Sequence, residues 1–276
     1  AYQALQAYSS LPTLYKVLTN EVDNAVKVKA IPNLFAQQQG VKPEDGSYQL
    51  ENFGALQPWE NILSLLQQSS NQRLLLLIRH GQAWENLNPT SNQNCQFELD
   101  GQTIDNFDSP LSPEGQRQAK QLNALFQSPT SDSSNKTWYD EIGMSQSTTT
   151  FITSPLTRTL QTTEAVFDAL PLSSSTGNAF HVHELIRATA GKDVCNFRHS
   201  VKTPTSSNPL PSPWQTGCNV PDTSLEEIYA SSAVRFNFTI RPAGGVGFGL
   251  VSDYDEIWRA DIADDDVQVT RAKAFL

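Results

Sequence analysis

The sequence predicts an α/β fold with a mainly parallel central sheet that is flanked by helices on both faces. Leu74–Ile78 is a short, entirely apolar run, which is typical of a strand buried on both sides. Thr150–Thr153 is a β-prone run that leads into a segment of helical periodicity, and Phe180–Glu184 alternates as a strand does. Because strands and helices alternate, we expect the strands to run parallel in one sheet.

The first half of the chain predicts two helices around the first strand. Residues 1–57 have no strong period, and we interpret them as an N-terminal wrap of a single domain covering residues 1–276. Pro58–Gln68 begins with proline and has apolar residues at helical spacing, which predicts a helix. Gly81–Pro110 is polar and predicts a loop, and the pair Ser112–Pro113 predicts the start of the next helix.

The second half repeats the cap-and-proline pattern. Ser154–Pro155 predicts the start of a helix over residues 156–170, which puts Arg158 in its first turn. Pro204–Pro213 predicts an extended loop, and Val246–Ser252 predicts either a strand or a glycine-rich turn.

The C-terminal residues predict a helix without an end. Asp264–Asp266 is interpreted as the solvated start of that helix, with binding of a divalent ion as the alternative. The helical pattern continues to Leu276 with no glycine, asparagine or other capping signal. We therefore expect the domain to lack its C-terminal portion.

The charge of the chain excludes some classes of partner. The formal net charge is −10, which disfavours binding to nucleic acid and to anionic membrane surfaces. No apolar run approaches the ~20 residues that a membrane-spanning helix needs. We therefore expect neither nucleic acid nor a membrane as a partner, although a local basic pocket for phosphate remains compatible with this charge.

The cysteines and the glycosylation motifs bear on the cellular compartment. Cys195 and Cys218 flank a loop and form a disulfide in one interpretation, whereas free or buried thiols are the alternative. Sequons begin at Asn135 and Asn237. Together with a composition rich in serine, threonine and glutamine, they favour a secreted glycoprotein, and a cytoplasmic location is the alternative.

Two strand ends carry residues suited to phosphate chemistry. Arg79, His80 and Gly81 follow the first strand, and Arg158 lies in the first helical turn after the second. Parallel strands place their carboxyl ends at one sheet edge, so we expect the two guanidinium groups to converge on an anion there. His80 would be a nucleophile for phosphorus, and Gly81 would let the backbone pass close to the anion.

These motifs resemble those of the histidine phosphatase superfamily, in its phosphoglycerate-mutase-like branch. The resemblance is carried by Leu75–Asn86 (LLLIRHGQAWEN), Asp108–Gln118 (DSPLSPEGQRQ) and Phe151–Thr162 (FITSPLTRTLQT), and more loosely by Glu184–Arg198. It extends from about Leu74 to the end of the chain.

The resemblance implies a role for each matching residue. His80 would be the phosphorylated nucleophile, and Arg79, Asn86 and Arg158 would hold the phosphoryl group. The catalytic set is then His80, Arg79 and Arg158. The superfamily uses no metal and no dissociable cofactor for hydrolysis.

The sequence departs from the family pattern at the groups that handle protons. A second catalytic histidine followed by glycine is absent, which we attribute to truncation. Ile186–Ala188 stands where the family has Leu-Arg-Glu, and Ala188 cannot donate a proton. Glu184 is a candidate donor, although a surface carboxylate is the preferred interpretation. Asn196 stands where Cys-Asp-x-Arg relatives carry aspartate.

The predicted function is hydrolysis of a small phosphomonoester through a phosphohistidine at His80. A phosphate-binding protein without turnover is the first alternative, and a phosphomutase is the second. His181 and His183 share one face of a strand, and we interpret them as a polar face in preference to a metal site.

Overall fold

The structure is a computed structural model. It describes residues 55–68, 72–91, 93–130, 136–145, 149–170, 179–188, 191, 193–204, 218, 223–240, 249–250 and 252–255. Several predictions concern segments wholly or mostly outside the described residues: the N-terminal wrap, the sequon at Asn135, the loop Pro204–Pro213, the segment Val246–Ser252, and the C-terminal helix with Asp264–Asp266.

The described part is a mixed α/β structure with a parallel sheet. The parallel sheet has three strands, numbered in chain order after the hairpin strands β1 and β2 described below. They are β3 (Ile152–Thr153), β4 (Ala179–Val182) and β5 (Arg235–Asn237), hydrogen-bonded in the order β3-β4-β5. Both pairs are parallel, with Ile152 opposite His181 and Phe180 opposite Phe236. The predicted parallel sheet is confirmed in this part of the chain.

The predicted strand Leu74–Ile78 is wrong as secondary structure. Residues 72–82 have no helix or strand assignment. Leu74 and Ile78 pack against the main core cluster, but Leu77 is 86% exposed. Apolar composition favours burial, whereas a strand also needs a neighbour that pairs with its backbone groups, and composition does not specify that neighbour.

The three helices predicted within the described part of the chain are present, with one capping error. Helix α1 covers Trp59–Gln68, and α2 covers Pro113–Gln127 with the hydroxyl of Ser112 accepting a hydrogen bond from the backbone at its N-terminus. Helix α4 covers Thr157–Phe167, so its N-cap is Leu156 and Ser154 was wrongly predicted. The hydroxyl of Ser154 is buried and has no hydrogen-bond partner among the described residues.

Two short helices complete the described α-helical elements. They are α3 (Trp138–Glu141) and α5 (Leu225–Ile228). The hydroxyl of Ser224 accepts a hydrogen bond from the Glu227 amide, while the Glu227 carboxylate accepts one from the Ser224 amide. None of the helices in the described ranges is long and apolar enough to cross a membrane.

The segment Gly81–Pro110 is more ordered than a loop. It contains the 3-10 helices Trp84–Asn86 and Pro89–Ser91 and an antiparallel hairpin of β1 (Gln96–Leu99) and β2 (Gln102–Asp105). Asp100 and Gly101 connect the strands with φ of 50° and 77°. An Asp-Gly pair with both residues in the left-handed region is typical of a tight hairpin turn, so this dipeptide was the missed signal.

The disulfide joins Cys95 to Cys218, so the predicted Cys195–Cys218 pairing is wrong. The two bonded residues have Cα atoms 5.2 Å apart, within the range for a disulfide. Cys195 is a free, fully buried cysteine. Its backbone carbonyl accepts hydrogen bonds from Ser109 and Arg158, which hold this segment inside the protein.

An aromatic core lies under the sheet and the helices. Phe151 from beside β3, Phe167 from the end of α4 and Phe180 from β4 contact one another, with ring centroids 4.8–5.5 Å apart. Phe126 of α2 packs on Phe167. This cluster anchors α2 and α4 side by side, and the candidate site lies at the N-terminal ends of both helices.

Candidate active site

His80 is positioned by its neighbour Gly81, which contacts two helices. The amide of Gly81 donates to the hydroxyl of Thr162 in α4 at 3.1 Å, and this hydroxyl donates to the carbonyl oxygen of Arg158 at 2.7 Å. A Cβ atom at Gly81 would overlap the backbone carbonyl of Gly115 in α2. Glycine is therefore needed here for the contact with α2, a reason that the sequence did not indicate.

The imidazole of His80 is fixed in one tautomer. Its Nδ1 lies 2.7 Å from the carbonyl oxygen of Gly81, so Nδ1 carries the proton and Nε2 has a free lone pair. Burial has the largest effect on the pKa of His80 and lowers it, and the charges of Arg158 and Arg79 lower it further. The hydrogen bond to Gly81 and the charge of Glu85 raise the pKa, but the net effect is a decrease. The neutral form of the imidazole is thereby favoured.

Arg158 is almost fully buried, with 1% of the residue exposed. Its Nη1 donates to the carbonyl oxygen of Cys195 at 2.8 Å, and its Nη2 donates to Oδ1 of Asn196 at 2.6 Å. Its Nε lies 3.2 Å from Oε1 of Glu85 but is not aligned for a hydrogen bond, and it has no other acceptor among the described residues. The guanidinium group is thus oriented by two hydrogen bonds and keeps one donor unsatisfied.

Glu85 belongs to the site and was not predicted. Its backbone amide donates to the hydroxyl of Ser109 at 3.0 Å, and the residue is 8% exposed. Its Oε1 lies 4.0 Å from Nε2 of His80 and accepts a hydrogen bond from Nδ2 of Asn86 at 3.4 Å. No sequence pattern marked this position, because the contacts depend on the 3-10 helix that the polar segment forms.

Asn86 and Arg79 lie at the exposed side of the site. Oδ1 of Asn86 accepts the amide of Ala83 at 2.9 Å, which fixes the side chain at the end of the 3-10 helix. Arg79 is exposed, and its charge contributes to the lowered pKa of His80. The structure therefore gathers His80, Asn86 and Arg158 around Glu85, with Arg79 at the rim.

The 3-10 helix Val194–Asn196 forms the back of the site. Cys195 and Asn196 supply the two acceptors that orient Arg158. Burial raises the pKa of the Cys195 thiol, and the charge of Glu85 and a hydrogen bond to it raise the pKa further. Cys195 is therefore a protonated hydrogen-bonding group beside Glu85. The sequence had drawn attention to this segment through Asn196 and through the disulfide interpretation of Cys195, and neither indicated contacts with Glu85 or Arg158.

Asp108 caps the helix that carries Arg158. This fully buried carboxylate accepts the backbone amide of Thr157 at 2.9 Å and its hydroxyl at 2.8 Å. His199 approaches the same carboxylate, with its Nδ1 at 2.8 Å and its amide at 3.1 Å. Because Leu156 has no side chain that can cap, Asp108 replaces the missing local cap.

Glu184 is a buried structural residue, so its interpretation as a surface carboxylate was wrong. It is 1% exposed, and its Oε1 accepts from Nη1 of Arg187 at 2.8 Å and from Nε of Arg198 at 3.1 Å. Nη1 of Arg187 also donates to Oδ1 of Asp255 at 2.7 Å. The Glu184 carboxylate is therefore engaged in a buried ion-pair network with two arginines.

The other histidines have structural contacts. Nδ1 of His183 accepts the amide of Leu185 at 3.2 Å, which caps the 3-10 helix Glu184–Ile186. His181 lies in β4, opposite Ile152. In the ranges that the structure covers, no group of three histidine, cysteine, aspartate or glutamate residues is arranged to hold a metal ion.

The comparisons with known proteins agree with the motifs. Residues 75–181 match the sequence model of the histidine phosphatase superfamily (branch 1). Phosphomutase-like protein 3 of Candida albicans (strain SC5314) is 28% identical over 209 residues, which cover 72% of this chain and 58% of that protein. The match thus spans little more than half the length of this relative. No solved structure matches the chain. The resemblance drawn from the motifs is confirmed.

Proposed function

We propose that the site hydrolyses a small phosphomonoester through a phosphohistidine at His80. The observation that carries this proposal is the hydrogen bond from Nδ1 of His80 to the carbonyl of Gly81, which leaves Nε2 free beside Arg158. A neutral imidazole next to a buried guanidinium combines a nucleophile with a group that binds phosphoryl oxygens. Asn86 and Arg79 add donors at the exposed side.

The proposed reaction has two steps. Nε2 of His80 attacks phosphorus, the bond from phosphorus to the leaving oxygen breaks, and that oxygen takes the bonding electrons. A water molecule then attacks the phosphohistidine, the P–N bond breaks, and the electron pair returns to Nε2. Arg158 stabilises the phosphoryl charge in both steps.

The choice of substrate follows from the groups that handle protons. Ala188 has no titratable side chain, and Glu184 is held in buried ion pairs. A leaving oxygen that is stable as an anion, such as a phenolate, needs little protonation in the transition state. We therefore expect aryl phosphates to be turned over faster than alkyl phosphates.

Two other functions have specific support. The relative from Candida albicans is named phosphomutase-like, which favours transfer of the phosphoryl group to a second hydroxyl. Two nitrogens of the Arg158 guanidinium are already hydrogen-bonded to Cys195 and Asn196, and Ala188 cannot donate a proton. These two features favour a protein that binds phosphate without turnover. The fate of the phosphoryl group separates all three functions.

Phosphoryl labelling of His80 tests the proposal. The protein is mixed with a ³²P-labelled aryl phosphate and quenched, and acid-labile, base-stable label is measured in the wild type, in His80→Ala and in the control His181→Gln. The hydrolase predicts label that requires His80 and is released as inorganic phosphate. Transfer to an added alcohol would indicate a mutase, and binding without any label would indicate a protein without turnover.

A further inference from the structure

One carboxylate oxygen lies among the groups that are proposed to hold the phosphoryl group. Oε1 of Glu85 is 3.2 Å from Nε of Arg158, 3.4 Å from Nδ2 of Asn86 and 4.0 Å from Nε2 of His80. In the proposed reaction, Arg158 and Asn86 bind the phosphoryl group and His80 is the nucleophile. The carboxylate therefore occupies part of the volume that a phosphoryl group needs in order to reach His80.

The contact between Glu85 and Arg158 leaves a buried donor without a good acceptor. Nε of Arg158 has no aligned hydrogen-bond partner among the described residues, although the residue is only 1% exposed. A buried donor that is left unsatisfied costs free energy. A phosphoryl oxygen that approaches from the side of His80 could align with this donor and accept its hydrogen bond. This oxygen is negatively charged, as the carboxylate of Glu85 is.

We propose that Glu85 is an internal counter-ion that competes with the phosphoryl group for Arg158. When phosphate binds, its oxygens replace Oε1 beside Nε, and the carboxylate turns away. Arg158 keeps an anionic partner throughout, so the exchange avoids a buried unpaired charge. This inference rests on the proposed function, because it assigns Glu85 to the same phosphoryl site.

The competition has a consequence for the strength of phosphate binding. A carboxylate and a phosphoryl group a few ångströms apart repel each other strongly in a buried pocket. Glu85 therefore weakens the binding of phosphate, which is both the product of hydrolysis and a part of every substrate. A Glu85 that served only as a fixed structural partner of Arg158 would instead leave phosphate affinity unchanged or support it.

Calorimetric titration with inorganic phosphate distinguishes these two roles. Glu85→Gln keeps the shape of the side chain and removes the charge, so we expect phosphate to bind on the order of tenfold more tightly than to the wild type. Glu226→Gln changes an exposed carboxylate on α5 and is the matched control, with unchanged affinity. Glu85→Ala removes the carboxylate without introducing an amide. Phosphate should raise the melting temperature of this variant by more than it raises that of the wild type.

The outcomes are separable from those of the labelling experiment. Tighter phosphate binding by Glu85→Gln that disappears in the double variant with Arg158→Ala supports the inference, even if His80 is never labelled. Equal or weaker binding, or no measurable binding to either protein, overturns it. In that case label on His80 would still support the hydrolase.

Discussion

The carboxylate of Asp108 caps helix α4 through Thr157, accepting its amide at 2.9 Å and its hydroxyl at 2.8 Å. The backbone of Asp108 has φ of 42°, in the left-handed region that is unfavourable for residues other than glycine. Such strain persists when surrounding contacts determine the conformation, and here the contacts include His199. Because Arg158 follows Thr157, the cap fixes the turn that carries the guanidinium.

Replacing Asp108 should destabilise this end of the site. In Asp108→Asn, an NH₂ group that replaces Oδ2 would face donors from Thr157 and His199, so we expect a loss of about 1–3 kcal/mol in the free energy of unfolding. Urea denaturation measures it, with the exposed Asp168→Asn as the control. If both variants unfold at the same urea concentration, Asp108 does not cap the helix in solution.

Arg158→Lys should impair the proposed reaction despite keeping the charge. Lysine cannot reproduce a planar fork that bonds Cys195 and Asn196 while contacting phosphate. We expect kcat/KM for an aryl phosphate to fall on the order of a hundredfold or more. This corresponds to a loss of several kcal/mol of transition-state stabilisation. Arg117→Lys, on the exposed face of α2, is the control. Near-normal kcat/KM in Arg158→Lys would argue against a phosphoryl contact.

The lowered pKa of His80 predicts its titration behaviour. A histidine whose pKa is lowered in the folded state stays neutral to lower pH than a free histidine, whose pKa is about 6.5. NMR titration of the imidazole Cε1 proton, assigned with His80→Ala, should give a midpoint below that value. Since the charge of Glu85 raises the pKa of His80, Glu85→Gln should lower the midpoint further. A midpoint at or above the free value would contradict this environment.

Local sequence signals predicted the parts of the site that depend on neighbouring residues. Ser112 caps its own helix, so serine before proline was sufficient to place it. Arg158 lies in the first turn of α4, because the apolar period of that segment defines the helix. These features are determined within a few residues, and therefore a single sequence carries them.

Contacts between distant segments were not predictable in the same way. Asp108 caps a helix that begins 49 residues later, and Glu85 meets Arg158 only because separate loops converge. Neither residue type has a preference strong enough to indicate such a partner. The cysteine pairing failed for a similar reason, since proximity along the chain favoured Cys195 whereas the fold brings Cys95 to Cys218.

Breaking the buried ion pair of Arg187 and Asp255 should strongly destabilise the protein. Burial raises the pKa of Asp255, but the charges of Arg187 and Arg198 and the hydrogen bonds from both residues outweigh this and lower it. Removing one partner of such a pair leaves an uncompensated charge, so we expect Asp255→Asn to cost about 3–5 kcal/mol in unfolding free energy. Chemical denaturation measures the loss, with Asp168→Asn as the control.

The pH dependence of that loss has a definite sign. Because the pKa of Asp255 is lowered on folding, its stabilisation is complete above the unfolded value of about 3.9 and disappears as the pH falls through the folded value. The difference between the wild type and Asp255→Asn should therefore stay constant near neutral pH and shrink only in acid. A difference that grows on acidification would contradict the assignment.

The disulfide between Cys95 and Cys218 should hold the start of the β1–β2 hairpin against the core. Cys218 packs on the cluster of Phe107, Val194, Phe197 and Tyr254. The bond closes a loop with a sequence separation of 123, and its removal should cost about 2–5 kcal/mol in unfolding free energy. Cys95→Ser and Cys218→Ser should therefore unfold at similar, lower temperatures than the wild type.

Peptide mapping without reduction provides an independent check of the same bond. A cross-linked peptide pair containing Cys95 and Cys218 is expected, with Cys195 alkylated only after unfolding because it is fully buried. Cys195 linked to either of the others would contradict the pairing. Equal losses of stability in both serine variants, with no further loss in the double variant, would show that the two residues act through one bond.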